Sequence, residues 1–273
     1  MIVFPNAKIN LGLNITEKRN DGYHNLETVF YPVPLSDSLE VVVKPDAKVK
    51  YTLNLSGDVI EGNSDDNLVV KAYNLMSNIC RIPPVEIYLC KKIPSGAGLG
   101  GGSSDAAFML KLLNELCSAE LTDNSLEELA ASLGADCAFF IKNKPVYAQG
   151  IGNEFTPIDL SLQGYSLVIV KPDIFVSTKD AFSTITPCKP ECSVKEIVTF
   201  PVDEWKHHLI NDFEKSVFAK FPAIGRIKQD LYNMGAVYAS MSGSGSSVFA
   251  LFKQSQNILP EYFPGCKIFN YNL

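Results

Sequence analysis

The segment that most constrains this chain is Pro94-Ser95-Gly96-Ala97-Gly98-Leu99-Gly100-Gly101-Gly102-Ser103-Ser104-Asp105-Ala106-Ala107, in which five of the seven positions 96–102 are glycine. A period-two run, Val85, Ile87 and Leu89, precedes it, and a helical repeat, Met109, Leu112, Leu113 and Leu116, follows it, so it joins a strand to a helix. Glycine accepts positive φ and lets other groups approach the backbone. Successive amides at a helix start can then converge on an anion. The segment is expected to cradle phosphate; the alternative for glycine-rich sequence, a flexible linker, seldom sits between a strong strand and a strong helix.

Spacing narrows the kind of phosphate loop. Gly96, Gly98 and Gly101 satisfy G-x-G-x-x-G, but a dinucleotide fold would open with this unit and carry an acidic residue at the end of the next strand. Here another helix follows. A Walker A loop needs Lys and then Ser or Thr directly after its last glycine, where this chain has Ser103-Ser104-Asp105. Neither H-R-D nor D-F-G follows, which removes the protein-kinase reading.

Strands are expected at 3–12, 28–33, 39–43 and 49–55, as an antiparallel meander, and at 85–89. Helices are expected over 67–80, capped by Asp65 or Asp66, over 104–116 and over 126–133. After a strand at 146–149, turn-rich sequence at 150–164 marks a domain boundary. Beyond it the pattern predicts a strand at 167–170, a helix near 179–184, and a Pro- and Lys-rich loop at 187–195. A long helix striped by Phe221, Ile224, Ile227 and Leu231 and ended by Gly235 comes next. Two strands, Val237 to Met241 and 248–252, then flank Ser242-Gly243-Ser244-Gly245-Ser246-Ser247. The expectation is an α+β chain of two domains, 1–158 and 159–273.

With 273 residues, 46% of them hydrophobic, the chain can bury a core for each. Lys and Arg number 24 against 30 Asp and Glu, a formal charge of -6, which argues against a nucleic-acid partner but allows a small anion held locally. No stretch reads as a signal peptide or reaches the roughly 18 to 20 apolar residues of a membrane span, so a cytoplasmic protein without a membrane partner is expected. Cys80, Cys90, Cys117, Cys137, Cys188, Cys192 and Cys266 form no C-x-x-C pair. Reduced thiols, and no metal held by the protein alone, are the expectation.

Two further segments accompany the glycine loop. Pro5-Asn6-Ala7-Lys8-Ile9-Asn10-Leu11-Gly12-Leu13 near the start and Met241-Ser242-Gly243-Ser244-Gly245-Ser246-Ser247 near the end resemble, together with 94–107, the three motifs of the GHMP kinases, the family of galactokinase, homoserine kinase, mevalonate kinase and phosphomevalonate kinase. The motifs occur in the expected order along nearly the whole chain. Asp21-Gly22-Tyr23-His24 and Leu133-Gly134-Ala135-Asp136, with Lys8-Ile9-Asn10-Leu11, are most similar to those members that phosphorylate a methylerythritol linked to cytidine diphosphate.

The resemblance implies the two-domain GHMP kinase fold, with an N-terminal part like ribosomal protein S5 domain 2 and a C-terminal ferredoxin-like α/β sandwich. It implies ATP as co-substrate, Mg²⁺ arriving with it, and phosphorylation of a hydroxyl, the 2-hydroxyl, in the non-mevalonate isoprenoid route. Lys8 and Asp136 match the catalytic pair, and Pro94 to Ser104 the ATP loop. Asn10, Tyr23, His24, Phe30, Thr178 and Phe182 match substrate-binding positions. Read without the family, Asp136 is a cap for a short helix over 137–141, Lys8 a solvated edge residue, and Phe30 and Phe182 core side chains. Lys91, Lys92, Asn63 and residues 65–68 are plausible neighbours of the nucleotide whose ordinary reading is solvated turn. Asp105 stands where many relatives have Asn, and a carboxylate there repels phosphate unless a cation intervenes. A mevalonate or homoserine kinase, and a non-catalytic nucleotide sensor on the same fold, are the alternative functions.

Overall fold

The computed structural model describes residues 1–58 and 63–273. In chain order the first elements are β1 (Ile2–Val3), β2 (Asn6–Lys18), β3 (His24–Ser36), β4 (Ser38–Val43), β5 (Tyr51–Gly57), α1 (Leu68–Ser77), β6 (Val85–Lys91) and α2 (Gly101–Leu116). Next come α3 (Asp123–Leu133), α4 (Phe139–Lys142), β7 (Val146–Gln149), β8 (Glu154–Pro157), β9 (Ser166–Pro172), α5 (Thr178–Phe182) and α6 (Val194–Ile197). The last are α7 (Trp205–His208), α8 (Phe213–Lys220), α9 (Pro222–Asn233), β10 (Tyr238–Met241), β11 (Val248–Phe252) and β12 (Cys266–Asn272). The α+β class expected from the sequence holds. Two compact units result, one of residues 1–7, 35–95 and 100–144, the other of 8–34, 96–99 and 145–273.

The first unit contains the sheet β1-β4-β6-β5. β4 runs antiparallel to β6, while β5 runs parallel to it. The expected meander of the first strands is therefore not formed: β2 and β3 belong to another sheet, and β5 reaches β6 through α1, the crossover a parallel pair requires. α1 packs against α2, burying Val69, Val70, Ala72, Tyr73 and Met76 from one and Met109, Leu110, Leu112 and Leu113 from the other. The cap of α1 is Asn67, whose side chain accepts the Val69 amide at 2.9 Å, and not Asp65 or Asp66.

α2 starts at Gly101, about one turn before the apolar repeat announces it. Glycine's poor helix propensity conceals that first turn in the sequence. Packing explains why glycine is there, since a Cβ on Gly101 would lie 2.8 Å from Cγ2 of Ile93.

The second unit holds the sheets β2-β3-β7-β8 and β10-β11-β9-β12. β9, β10 and β11 are buried along their apolar residues, and α9 lays Ile224, Ile227 and Leu231 into the same cluster as Val168, Val170, Ala239, Met241, Val248 and Ala250. The helix expected from the stripe Phe221, Ile224, Ile227 and Leu231 is α9, and a separate helix, α8, precedes it and ends at Phe221. Pro222 can begin a helix but lacks the N–H needed to continue one. His207 and His208 sit in α7, a single turn. Among the described residues no helix is long and apolar enough to cross a membrane.

Candidate functional site

The second unit assembles Lys8, Asn10, residues 96–99 and the Ser242–Ser247 turn. Lys8 and Asn10 are two positions apart on β2 and so share a face. Both are buried, at 3% and 2% exposure, so Lys8 is not the solvated edge residue its strand position suggests. Its Nζ donates to Asn10 Oδ1 at 2.6 Å and to the Gly98 carbonyl at 3.2 Å, and lies 4.8 Å from the Phe30 ring centroid. Asn10 Nδ2 donates to Thr28 Oγ1 at 3.1 Å, which orients the amide so that its oxygen faces the ammonium.

The glycines of 96–100 are required by conformation and by contact. Gly96, Gly98 and Gly100 have φ of +60°, +74° and +72°, the left-handed region that side chains avoid. A Cβ on Gly98 would fall 1.9 Å from the Ser242 carbonyl oxygen. The loop's carbonyls are engaged within the unit: Ala97 accepts the Ser247 amide at 3.3 Å, Gly98 the Ser242 hydroxyl at 2.8 Å, and Leu99 the Lys8 amide at 3.0 Å.

Tyr23 and His24 follow a tight turn, as Asn20-Asp21-Gly22 predicts. Asp21 Oδ1 accepts the Tyr23 amide at 3.0 Å, Gly22 has φ +89°, and the turn connects β2 to β3. Tyr23 is 61% exposed. The His24 ring stacks on Phe182 with centroids 4.7 Å apart, and Phe182 in turn meets Phe213 edge-on at 4.8 Å. Phe30 is buried beneath Lys8 and tilts against Phe155. Thr178 opens α5, just after Ser177, whose hydroxyl accepts the Asp180 amide at 3.0 Å.

The first unit carries Gly100 to Asp105 and Asp136. The amides of Gly101, Gly102 and Ser103 belong to the first turn of α2, where no preceding helical carbonyl exists to accept them. Asp136 is half-buried between α3 and α4. It is not the cap of the short helix: α4 begins at Phe139 with Ala138 in the cap position. Beside it the Cys137 thiol is buried, which pushes its pKa up to about 11 and keeps it a thiol near neutrality.

Lys91, read from the sequence as solvated, is buried together with Asp37 and Asp105. Its Nζ pairs with Asp37 Oδ2 and, at 2.6 Å, with Asp105 Oδ2. Asp37 Oδ1 also accepts the amides of Lys92 and Ile93 at 2.5 and 2.8 Å. The cation that a carboxylate at 105 demands is therefore Lys91. Burial, only partly offset by Lys91 and reinforced by Asp37, raises the Asp105 pKa to about 7. Nothing in the local sequence signals Asp37, 54 residues from Lys91.

Glu27 is also missing from the sequence reading of the site. Glu27 is buried, and its carboxylate accepts the Tyr147 hydroxyl at 2.6 Å, the Val194 amide at 3.0 Å and Asn14 Nδ2 at 3.1 Å, so it ties three strands to the start of α6. A glutamate amid apolar strand residues is the only sequence hint of it.

Comparison with known proteins agrees with this arrangement. Residues 67–144 match the family model of the GHMP kinases N terminal domain, and residues 203–261 that of the GHMP kinases C terminal domain. A 4-diphosphocytidyl-2-C-methyl-D-erythritol kinase of Bacteroides fragilis is 63% identical over 273 residues, all of both chains. One of Bacteroides thetaiotaomicron is 62% identical over 98% of each. Among solved structures, a 4-(cytidine 5'-diphospho)-2C-methyl-D-erythritol kinase superposes with a TM-score of 0.78 at 34% identity, covering 92% of this chain and 90% of that one. The loop, the buried lysine and full-length identity of this size lead to one conclusion: the chain belongs to the GHMP kinases, within their 4-diphosphocytidyl-2-C-methyl-D-erythritol kinase group.

Proposed function

We propose that this chain transfers the γ-phosphoryl group of ATP to a hydroxyl, the 2-hydroxyl, of 4-diphosphocytidyl-2-C-methyl-D-erythritol. The observation that carries the substrate is the 63% identity, over the full length of both chains, with a kinase of that name. The bond from the acceptor oxygen to the γ-phosphorus forms, the bond to the bridging oxygen breaks, and ADP leaves. Asp136 takes the hydroxyl proton, and the Lys8 ammonium stabilises charge on the transferred group. Amides of 96–103 receive the phosphates. Mg²⁺ comes with the ATP, whose phosphates and water supply most of its oxygen ligands; among the described residues no group of three or more His, Cys, Asp or Glu side chains is set to hold a metal.

On the acceptor side, the exposed Tyr23 ring and the His24–Phe182 stack are flat faces of the kind a cytosine stacks on, and the imidazole can hydrogen-bond a base edge. Asn10 and Thr178 supply polar groups for the sugar alcohol.

A coupled assay of ADP release tests the reading: turnover with the cytidyl polyol and none with mevalonate or homoserine is expected. Preference for either of the latter reassigns the enzyme within the family, and no ATP consumption with any of the three makes it a nucleotide-binding protein. His24→Ala should raise KM for the cytidyl substrate by about tenfold, the worth of one aromatic contact, with KM for ATP unchanged; equal rises would remove His24 from base recognition. Gly98→Ala, strained at φ +74° and driven into the Ser242 carbonyl, should raise KM for ATP by at least about tenfold, read from the same assay.

A further inference from the structure

The segment Asn211-Asp212-Phe213-Glu214, which the proposed chemistry leaves without a task, bonds β2 through Asp212, whose amide donates to the Leu13 carbonyl and whose carboxylate accepts the Ile15 amide, and bonds the backbone around Ser242 through Asn211 and Glu214. Asn211 is 1% exposed, and its Nδ2 donates to the carbonyls of Met241 at 2.8 Å and Gly243 at 2.9 Å, the residues on either side of Ser242. Its Oδ1 accepts the Phe213 amide at 3.0 Å, so each polar atom of the side chain is engaged. Glu214 adds a further hold, accepting the Met241 amide at 2.8 Å while its other oxygen meets Lys228 at 2.6 Å.

The residue gripped in this way reaches two oxygens that accept from the Lys8 ammonium. Ser242 Oγ donates to the Gly98 carbonyl at 2.8 Å and lies 3.3 Å from the Asn10 amide nitrogen, which donates to it, and 3.5 Å from Asn10 Oδ1. Lys8 Nζ donates to both Gly98 O and Asn10 Oδ1. A shift of the turn would carry these two oxygens with it, and the ammonium would follow them.

We infer that Asn211 is a positioning residue for the catalytic lysine, acting through Ser242, and that the second half of the chain sets the lysine's geometry by this relay. The inference rests on the proposed kinase activity. A positional error near 1 Å at a reacting group can cost a factor of about 100 in rate, whereas a side chain that only packs would change stability and leave the folded enzyme's kcat intact.

The test uses the full chain, with rates expressed per folded molecule from circular dichroism. Ser242→Ala, which leaves the backbone alone, and Asn211→Ala should each lower kcat by roughly 10- to 100-fold and leave KM for ATP and for the cytidyl substrate within about threefold. In single turnovers on a Lys8→Met background, the same substitutions should change the residual rate less than about twofold, because the group they position is gone. Should Asn211→Ala fail to fold, Ser242→Ala alone decides. A Ser242→Ala enzyme with kcat within twofold of the parent, a loss confined to KM for ATP, or losses that multiply with Lys8→Met would each overturn the inference. A parent enzyme inactive on the cytidyl substrate would instead overturn the proposed function, and the relay with it.

Discussion

Replacing Lys8 by Met is expected to lower kcat by about three orders of magnitude or more, the scale of losing a charged group aimed at a transferred phosphoryl, with the fold and nucleotide affinity largely kept. Methionine retains an unbranched apolar stem for the Phe30 ring, which the ammonium approaches at 4.8 Å, so packing changes little. The ammonium itself disappears, and with it the hydrogen bonds at 2.6 Å to Asn10 Oδ1 and 3.2 Å to Gly98 O. These two oxygens are neutral and act by fixing direction. Asp136→Asn should act in the same sense, since it preserves size but removes the proposed proton acceptor. Steady-state turnover beside binding of a fluorescent ATP analogue separates the two effects. Either variant keeping more than a tenth of the turnover would refute its catalytic role.

How much of this was legible in the sequence depends on the range of the interaction. The glycine loop, the Asn20-Asp21-Gly22 turn and the strands around 242–247 are written in neighbouring residues, and the fold follows them closely. Features set by distant partners were hidden. β8 and β12 alternate weakly and are fixed by pairing with β7 and β9. β5 pairs in parallel because α1 returns the chain to β6. Lys91 looks like a solvated lysine in Lys91-Lys92, since its two carboxylates are supplied from 54 and 14 residues away. The role of Asn211 depends on carbonyls 30 and 32 residues downstream, a separation that periodicity does not reach.

The buried Lys91 cluster makes the other large prediction, on stability. Lys91→Met leaves Asp37 and Asp105 facing each other without a cation, and an uncompensated buried charge of this kind costs about 3–5 kcal/mol near neutral pH, on the order of 10 °C in Tm. The deficit should shrink as the pH is lowered and the carboxylates take up protons. Asp105 gives the parent protein a pH dependence of its own. Its ordinary pKa is 3.8 and burial raises it to about 7, so between those values the folded chain keeps a proton that the unfolded chain has lost. Unfolding then releases a proton, and this group's contribution, complete below pH 4, is lost as the pH rises toward and past 7. Asp105→Asn keeps an oxygen for Lys91 while removing the charge. It should flatten that slope and raise the melting temperature at pH 8, and in the Lys91→Met background it should recover part of the loss by removing one of the two stranded carboxylates. Thermal unfolding at pH 5 and pH 8 of the parent, both single variants and the double variant checks all of this. A Lys91→Met protein as stable as the parent at pH 8, or an Asp105→Asn protein with the parent's slope, would show that the cluster does not carry the charge balance assigned to it.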